Sequence, residues 1–149
     1  MTATMGRYRY WGDQRPDTSR PLLTFTRPGE AVSAAARTSQ GADGVDATSG
    51  TLRIYGPIDS YGGWWGVSSK EVATALDILE GATRLVVRIN SPGGESAEGR
   101  AIMNLLRAHA AEIVTVVDGG AYSAASYIAL AGNDRVMSPG ATMMIHDTS

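Results

Sequence analysis

Ser123 is the residue whose surroundings best suit covalent chemistry. It lies in Gly119-Gly120-Ala121-Tyr122-Ser123-Ala124-Ala125-Ser126, behind a glycine pair and among small side chains. A serine hydroxyl attacks a carbonyl when it is exposed and a neighbouring base takes its proton. His146 follows the apolar Met143-Met144-Ile145 and can be that base if both residues reach one edge of the fold. With Ser123 opening a helix, the backbone N–H of Ala124 can donate to a developing oxyanion. A second glycine pair, Gly93-Gly94, follows Asn90-Ser91-Pro92. Glycine pairs let backbone approach a ligand closely, and amides at a following helix start can hold an anion or an oxyanion. Neither pair fits the P-loop or the dinucleotide-binding pattern. A tight turn with no further role is the simpler account of a lone pair; two pairs after consecutive strands leave both accounts open. His109, near the end of a helix, reads as a surface residue offsetting the helix dipole.

These groups meet only if particular elements carry them. Leu52 to Tyr55 alternates and is stopped by Gly56-Pro57, as a strand does. Ser68 and Glu71 form a capping box, behind which Val72, Leu76 and Leu79 recur at helical spacing until Gly81. Leu85 to Ile89 reads as a buried strand, and Asn90 to Gly94 as a turn. A second helix follows, with Ala97, Ala101, Leu105 and Ala108 on one stripe. Ile113 to Val117 reads as a third strand, Gly119-Gly120 as another turn, and Ser123 to Ala131 as a small-residue helix. Val136-Met137 and Met143 to Ile145 read as short closing strands. This alternation predicts an α/β fold with a largely parallel sheet and repeated β-α-β crossovers. In such sheets ligands bind at the carboxyl ends of the strands, where both glycine pairs are expected.

The first 50 residues differ. They hold Pro16, Pro21 and Pro28, and from Ala34 to Gly50 are mostly Ala, Ser, Thr, Gly and Asp. Only Leu22 to Thr26 is a short patterned run. Residues 1–50 are expected to be a flexible, mostly disordered arm before a domain over 51–149. Tyr8, Tyr10 and Trp11 either dock this arm on a partner or belong to a leader that stays unfolded.

Composition excludes several classes. Fifteen acidic and 13 basic residues among 149 give a net charge of −2, which argues against a nucleic-acid binder. There is no cysteine, hence no disulfide and no thiolate nucleophile. Two histidines are too few for a His-rich metal centre, and no cofactor or metal is expected. No apolar run approaches the roughly 20 residues that span a bilayer, and the N-terminus lacks the apolar core of a secretory signal. A soluble, cytoplasmic protein with no membrane partner is expected. Lys70 is the single lysine and is predicted in an exposed first helical turn.

Four segments together carry a resemblance: Ile89-Asn90-Ser91-Pro92-Gly93-Gly94, Gly119 to Ser123, Ala131-Gly132 and Met144-Ile145-His146. In order and spacing they make residues 51–147 similar to the ClpP-like serine peptidases, of the type that tailed phages encode for head maturation. The resemblance implies a ClpP/crotonase-like fold, with Ser123 as nucleophile and His146 as general base. It implies an oxyanion hole from the amides of Gly94 and Ala124, with Ser126 the alternate serine if the register shifts. The turn Gly93-Gly94 and its strand would receive the substrate peptide by strand addition. Implied partners are a capsid or scaffold protein as substrate, further copies in a homo-oligomeric ring, and an unfoldase. The setting would be host cytoplasm or the prohead, and the arm a self-cleaved leader or scaffold-binding segment.

The chain departs from that pattern in two respects. The family's long projecting helix, which brings subunits together across rings, would lie beyond this C-terminus. The family's third catalytic residue is an Asp well downstream of the histidine, and the sequence stops three residues after His146. The side chain of Asp147 is expected to point to the opposite face. The expectation is a C-terminally truncated fragment with weak or no turnover, since loss of the orienting acid lowers turnover by about four orders of magnitude in the serine-protease template. Three other readings compete. A Ser–Lys dyad like that of signal-peptide peptidases needs Lys70. A crotonase-like acyl-CoA enzyme needs no activated serine. A non-catalytic assembly module needs only the fold.

Overall fold

A computed structural model describes residues 22–30 and 48–147. Strand β1, Leu23–Thr26, pairs antiparallel with β2, Ser49–Tyr55, Leu23 lying opposite Ile54. Residues 22–26 and 49–50 were expected in the flexible arm; Leu23–Thr26 instead form an edge strand, and Ser49 and Gly50 begin β2, which lies inside the sheet. Leu22 and Leu23 pack against the core, so tertiary contact turns a short patterned run into a strand. Residues 1–21 and 31–47, with Tyr8, Tyr10 and Trp11, lie outside the described residues.

Helix α1, Ser69–Ile78, begins as its capping box predicts. Glu71 N donates to Ser68 Oγ at 3.2 Å, and Ser68 N donates back to Glu71 Oε2 at 3.0 Å. The helix buries Val72, Ala75 and Leu76. Strand β3, Arg84–Ser91, runs parallel to β2. Helix α2, Ser96–Ala108, buries Gly99, Ile102 and Leu106. The predicted stripe of Ala97, Ala101, Leu105 and Ala108 is half-buried or exposed, because the branched residues one position along bury more area. Strand β4, Glu112–Tyr122, is followed by helix α3, Ala124–Ala129, and strands β5, Asp134–Met137, and β6, Thr142–Met144. Every pairing after the first is parallel, as expected of this α/β class. One core lies between the helices and one sheet face, joining Leu52, Ile54, Val87 and Ile89 to Val72, Ile102, Leu106 and Ile128. Burying each such side chain stabilises the fold by about 1.5–3 kcal/mol.

The second glycine pair is not a turn. Gly119 and Gly120 lie inside β4, where Ile89 pairs with Val117 but Ser91 pairs with Ala121. Asn90 therefore stands alone opposite Asp118, Gly119 and Gly120, which is a bulge. Gly120 N donates to Asn90 Oδ1 at 3.1 Å, so a side chain supplies the bond the ladder has lost. Before the bulge β4 pairs with β5 through Val114–Val117; beyond it Gly120–Tyr122 pairs with β6.

The Asp118 carboxylate anchors the start of the bulge. It pairs with Arg88 through Nη2 and through Nε at 2.9 Å, and accepts from Tyr55 Oη at 2.5 Å and Ser138 Oγ at 3.4 Å. One carboxylate thus ties β2, β3, β4 and the segment after β5 together. The Arg88 side chain is only 7% exposed and that of Asp118 17%, so removing either partner leaves a poorly solvated charge. Burial raises the Tyr55 pKa above its usual 10.0, and the hydrogen bond to Asp118 and that carboxylate's charge raise it further. The protonated phenol is therefore the form that folding favours. Its contribution is complete below pH 10 and is lost as pH rises beyond that value. Tyr55→Phe is expected to lower stability by about 1–3 kcal/mol at pH 7, the scale of a hydrogen bond to a charged group. In urea unfolding, the gap between the two proteins closes as pH rises past 10.

Candidate active site

Ser123 joins β4 to α3 with φ 52° and ψ −120°, the only positive φ at a non-glycine among the described residues. Such a conformation costs on the order of 1–3 kcal/mol and persists only when its neighbours hold it. Three hydrogen bonds do so. Ser123 N donates to Met144 O at 2.8 Å, and Ser123 O accepts from Ser126 N at 2.9 Å and Ser126 Oγ at 2.6 Å. The Ser123 hydroxyl makes no capping bond to its own helix. It meets His146 instead, with Oγ and Nε2 2.8 Å apart.

The other ring nitrogen fixes the tautomer. His146 Nδ1 lies 2.7 Å from the main-chain oxygen of Asp147. A carbonyl can only accept, so Nδ1 carries the hydrogen and Nε2 turns its lone pair to the serine hydroxyl. Among the described residues, the group facing Nδ1 is the peptide carbonyl of the next residue. The Ser123 side of the pair is half-buried, whereas His146 is exposed.

The first glycine pair is a turn and abuts this pair. Gly93 has φ 89° and Gly94 φ 148°. Ser91, the last residue of β3, is buried and its Oγ accepts from Gly93 N at 3.1 Å. The segment after β2 grips the other side, with Ile58 N donating to Gly93 O at 2.9 Å and Glu95 N to Ile58 O at 3.0 Å. A Cβ on Gly93 would sit 2.3 Å from Tyr122 O, 3.0 Å from Ser123 Cβ and 3.1 Å from Ala124 N. The turn is therefore packed directly on the backbone that carries the serine. Neither Gly94 N–H nor Ala124 N–H has an acceptor among the described residues. The arrangement offers a nucleophilic hydroxyl, a base aimed at it and two unpaired donors close by, which suits acyl transfer.

The structure brings Ser123, His146, Gly93, Gly94 and Ala124 into one place. Ser126 is buried and its hydroxyl is bonded to Ser123 O, so it braces the strained residue rather than replacing it. Lys70 is exposed in the first turn of α1, while the position beside Ser123 Oγ is taken by His146 Nε2. His109 ends α2 with Nδ1 accepting from Ala111 N at 3.1 Å. Its ring nitrogen closes the turn that follows the helix. Among the described residues no group of three or more His, Asp or Glu could hold a metal ion, and no helix is long and apolar enough to cross a membrane. Sequence reading missed Asn90, Asp118 and Arg88. The signal was present for two of them, since Arg88 interrupts the apolar run Leu85–Ile89 and Asp118 directly follows the apolar run Ile113–Val117.

Gly93→Ala combines a strained φ with a clash against main chain that cannot swing away. It is expected to cost about 2–5 kcal/mol, read as a lowered urea midpoint, and to disturb the Ser123–His146 pair in any protein that still folds.

Similarity to known proteins follows the same residues. The model of the Clp protease family matches residues 67–149. Among solved structures, ClpP1 from Listeria monocytogenes is 28% identical, with a TM-score of 0.57 over 64% of this chain and 55% of that one. A point mutant of the same ClpP1 aligns with the same figures. The chain thus spans 55% of the length of these relatives. No curated protein matches. Matched over more than half of its residues, and carrying a hydroxyl–imidazole pair beside a glycine turn, the chain belongs to the Clp protease family.

Proposed function

We propose that this chain is a serine peptidase domain in which Ser123 and His146 carry out peptide hydrolysis. The observation that carries the reading is the 2.8 Å contact between Ser123 Oγ and Nε2 of His146. Ser123 Oγ attacks the peptide carbonyl carbon while its proton passes to Nε2. The carbonyl oxygen becomes an oxyanion held by the N–H groups of Gly94 and Ala124. The C–N bond then breaks, Nε2 returns the proton to the leaving amine, and water repeats the sequence on the acyl-enzyme. The substrate lies extended beside Gly93-Gly94. Resemblance to head-maturation proteases supports a phage capsid or scaffold protein as substrate. It supports a homo-oligomeric ring, with an unfoldase as a further partner, working in host cytoplasm or the prohead.

The main-chain carbonyl on Nδ1 sets the expected vigour of the reaction. It holds the ring in the productive tautomer but carries no full negative charge to stabilise the imidazolium. A reactive probe reads the hydroxyl–imidazole pair directly. A fluorophosphonate should therefore label the chain, and Ser123→Ala should abolish labelling. His146→Ala should slow it by about 100- to 10,000-fold, the usual contribution of a general base. A crotonase-like enzyme or a purely structural module would show no labelling of the unmodified chain, and that result would sink the peptidase reading.

A further inference from the structure

The loop between β2 and α1 displays three aromatic residues with no role in the chemistry above. Tyr61, Trp64 and Trp65 are 68%, 42% and 48% exposed, and the two indoles stack with centroids 4.0 Å apart. The display is held firmly. Asp59 Oδ1 accepts from Tyr61 N at 2.8 Å, Glu71 Oε1 accepts from Gly63 N at 2.8 Å, and Trp65 N donates to Gly62 O at 3.2 Å. Rigid, exposed indoles are poor devices for monomer stability and good anchors for a partner.

The loop's base identifies the partner. Val67 bridges Ile58, and Ile58 bridges Gly94, so the loop extends the strand layer of the glycine turn. Ser60 Oγ also donates to Glu95 Oε1 at 3.0 Å, directly beside that turn. Val67 lies two strand widths from Gly94, roughly 10 Å across the ladder. Asp59 and Glu95 have no cationic partner among the described residues. Asp59 adjoins Ser60, whose hydroxyl bonds Glu95, so both carboxylates stand where the loop meets the turn.

We infer that Trp64 and Trp65 form a subsite for the polypeptide substrate, taking an aromatic or aliphatic side chain a few residues from the cleaved bond. Asp59 and Glu95 favour a basic residue beside it. The inference rests on the peptidase reading, and the test separates the two. A fluorescein-labelled decapeptide containing Phe-Arg is titrated against the full chain bearing Ser123→Ala, with fluorescence anisotropy as readout. The control peptide has Ser-Ser in that place. The Phe-Arg peptide should bind about tenfold tighter or more, the scale of a tryptophan anchor. Trp64→Ala with Trp65→Ala should erase the difference, and Trp64→Phe with Trp65→Phe should restore part of it. Fluorophosphonate labelling of Ser123 should be unchanged by either double substitution, because the probe is too small to reach the loop. Equal binding of both peptides, or a preference untouched by the alanine pair, overturns the subsite. So does an alanine pair that changes only the sedimentation coefficient, since the indoles would then join copies of the chain. Failure of the unmodified chain to label strikes the peptidase reading alone.

Discussion

Strand β4 cannot serve two neighbours in one register, and the rest of the site follows from how that conflict is resolved. β5 occupies its first half and β6 its second. The two extra residues of the bulge absorb the offset, and Asn90 bonds to Gly120 so that the interruption leaves no unmet donor there. Without the offset, Met144 would not come opposite Tyr122, and the residue two positions after it would not come within reach of Ser123. A parallel sheet is normally a regular object; here a break in its register helps bring Ser123 and His146 together.

The serine is strained in the same place, and its supports are shared with His146. Met144 O accepts from Ser123 N, so one strand both holds the strained backbone and delivers His146. On the other side, Gly93 packs against Tyr122 O. The Asp118 carboxylate gathers four segments immediately upstream. These contacts are mostly hydrogen bonds in a partly buried setting, where each completed bond adds about 1 kcal/mol and each broken one costs more. Such a site is best understood as a unit in which several modest bonds together fix one unfavourable φ.

Much of this was legible in the sequence. The capping box at Ser68, the apolar strands and the four motif segments around Ser123 and His146 are each local features of the sequence. What was not legible is non-local. Gly119-Gly120 reads as a turn because glycine pairs usually punctuate; only the pairing of Ser91 with Ala121 reveals a bulge. Leu22 to Thr26 lacks the length to declare itself a strand until Leu52 and Ile54 offer a partner surface. The stripe on α2 went astray because alanines recur at helical spacing on the solvent side, while Ile102 and Leu106 carry the buried volume. The Asp147 contact was hidden because expectation concerned its side chain, and the atom that matters is a peptide oxygen.

A peptide oxygen belongs to the chain rather than to any side group. Every amino acid at position 147 supplies the same acceptor, so the tilt of the imidazole is insulated from replacement there. Mutational scanning by alanine would pass over position 147 as silent, although an atom of that residue aligns the ring. The vulnerability lies in the path of the backbone, which only a proline, an insertion or a deletion near that point would redirect.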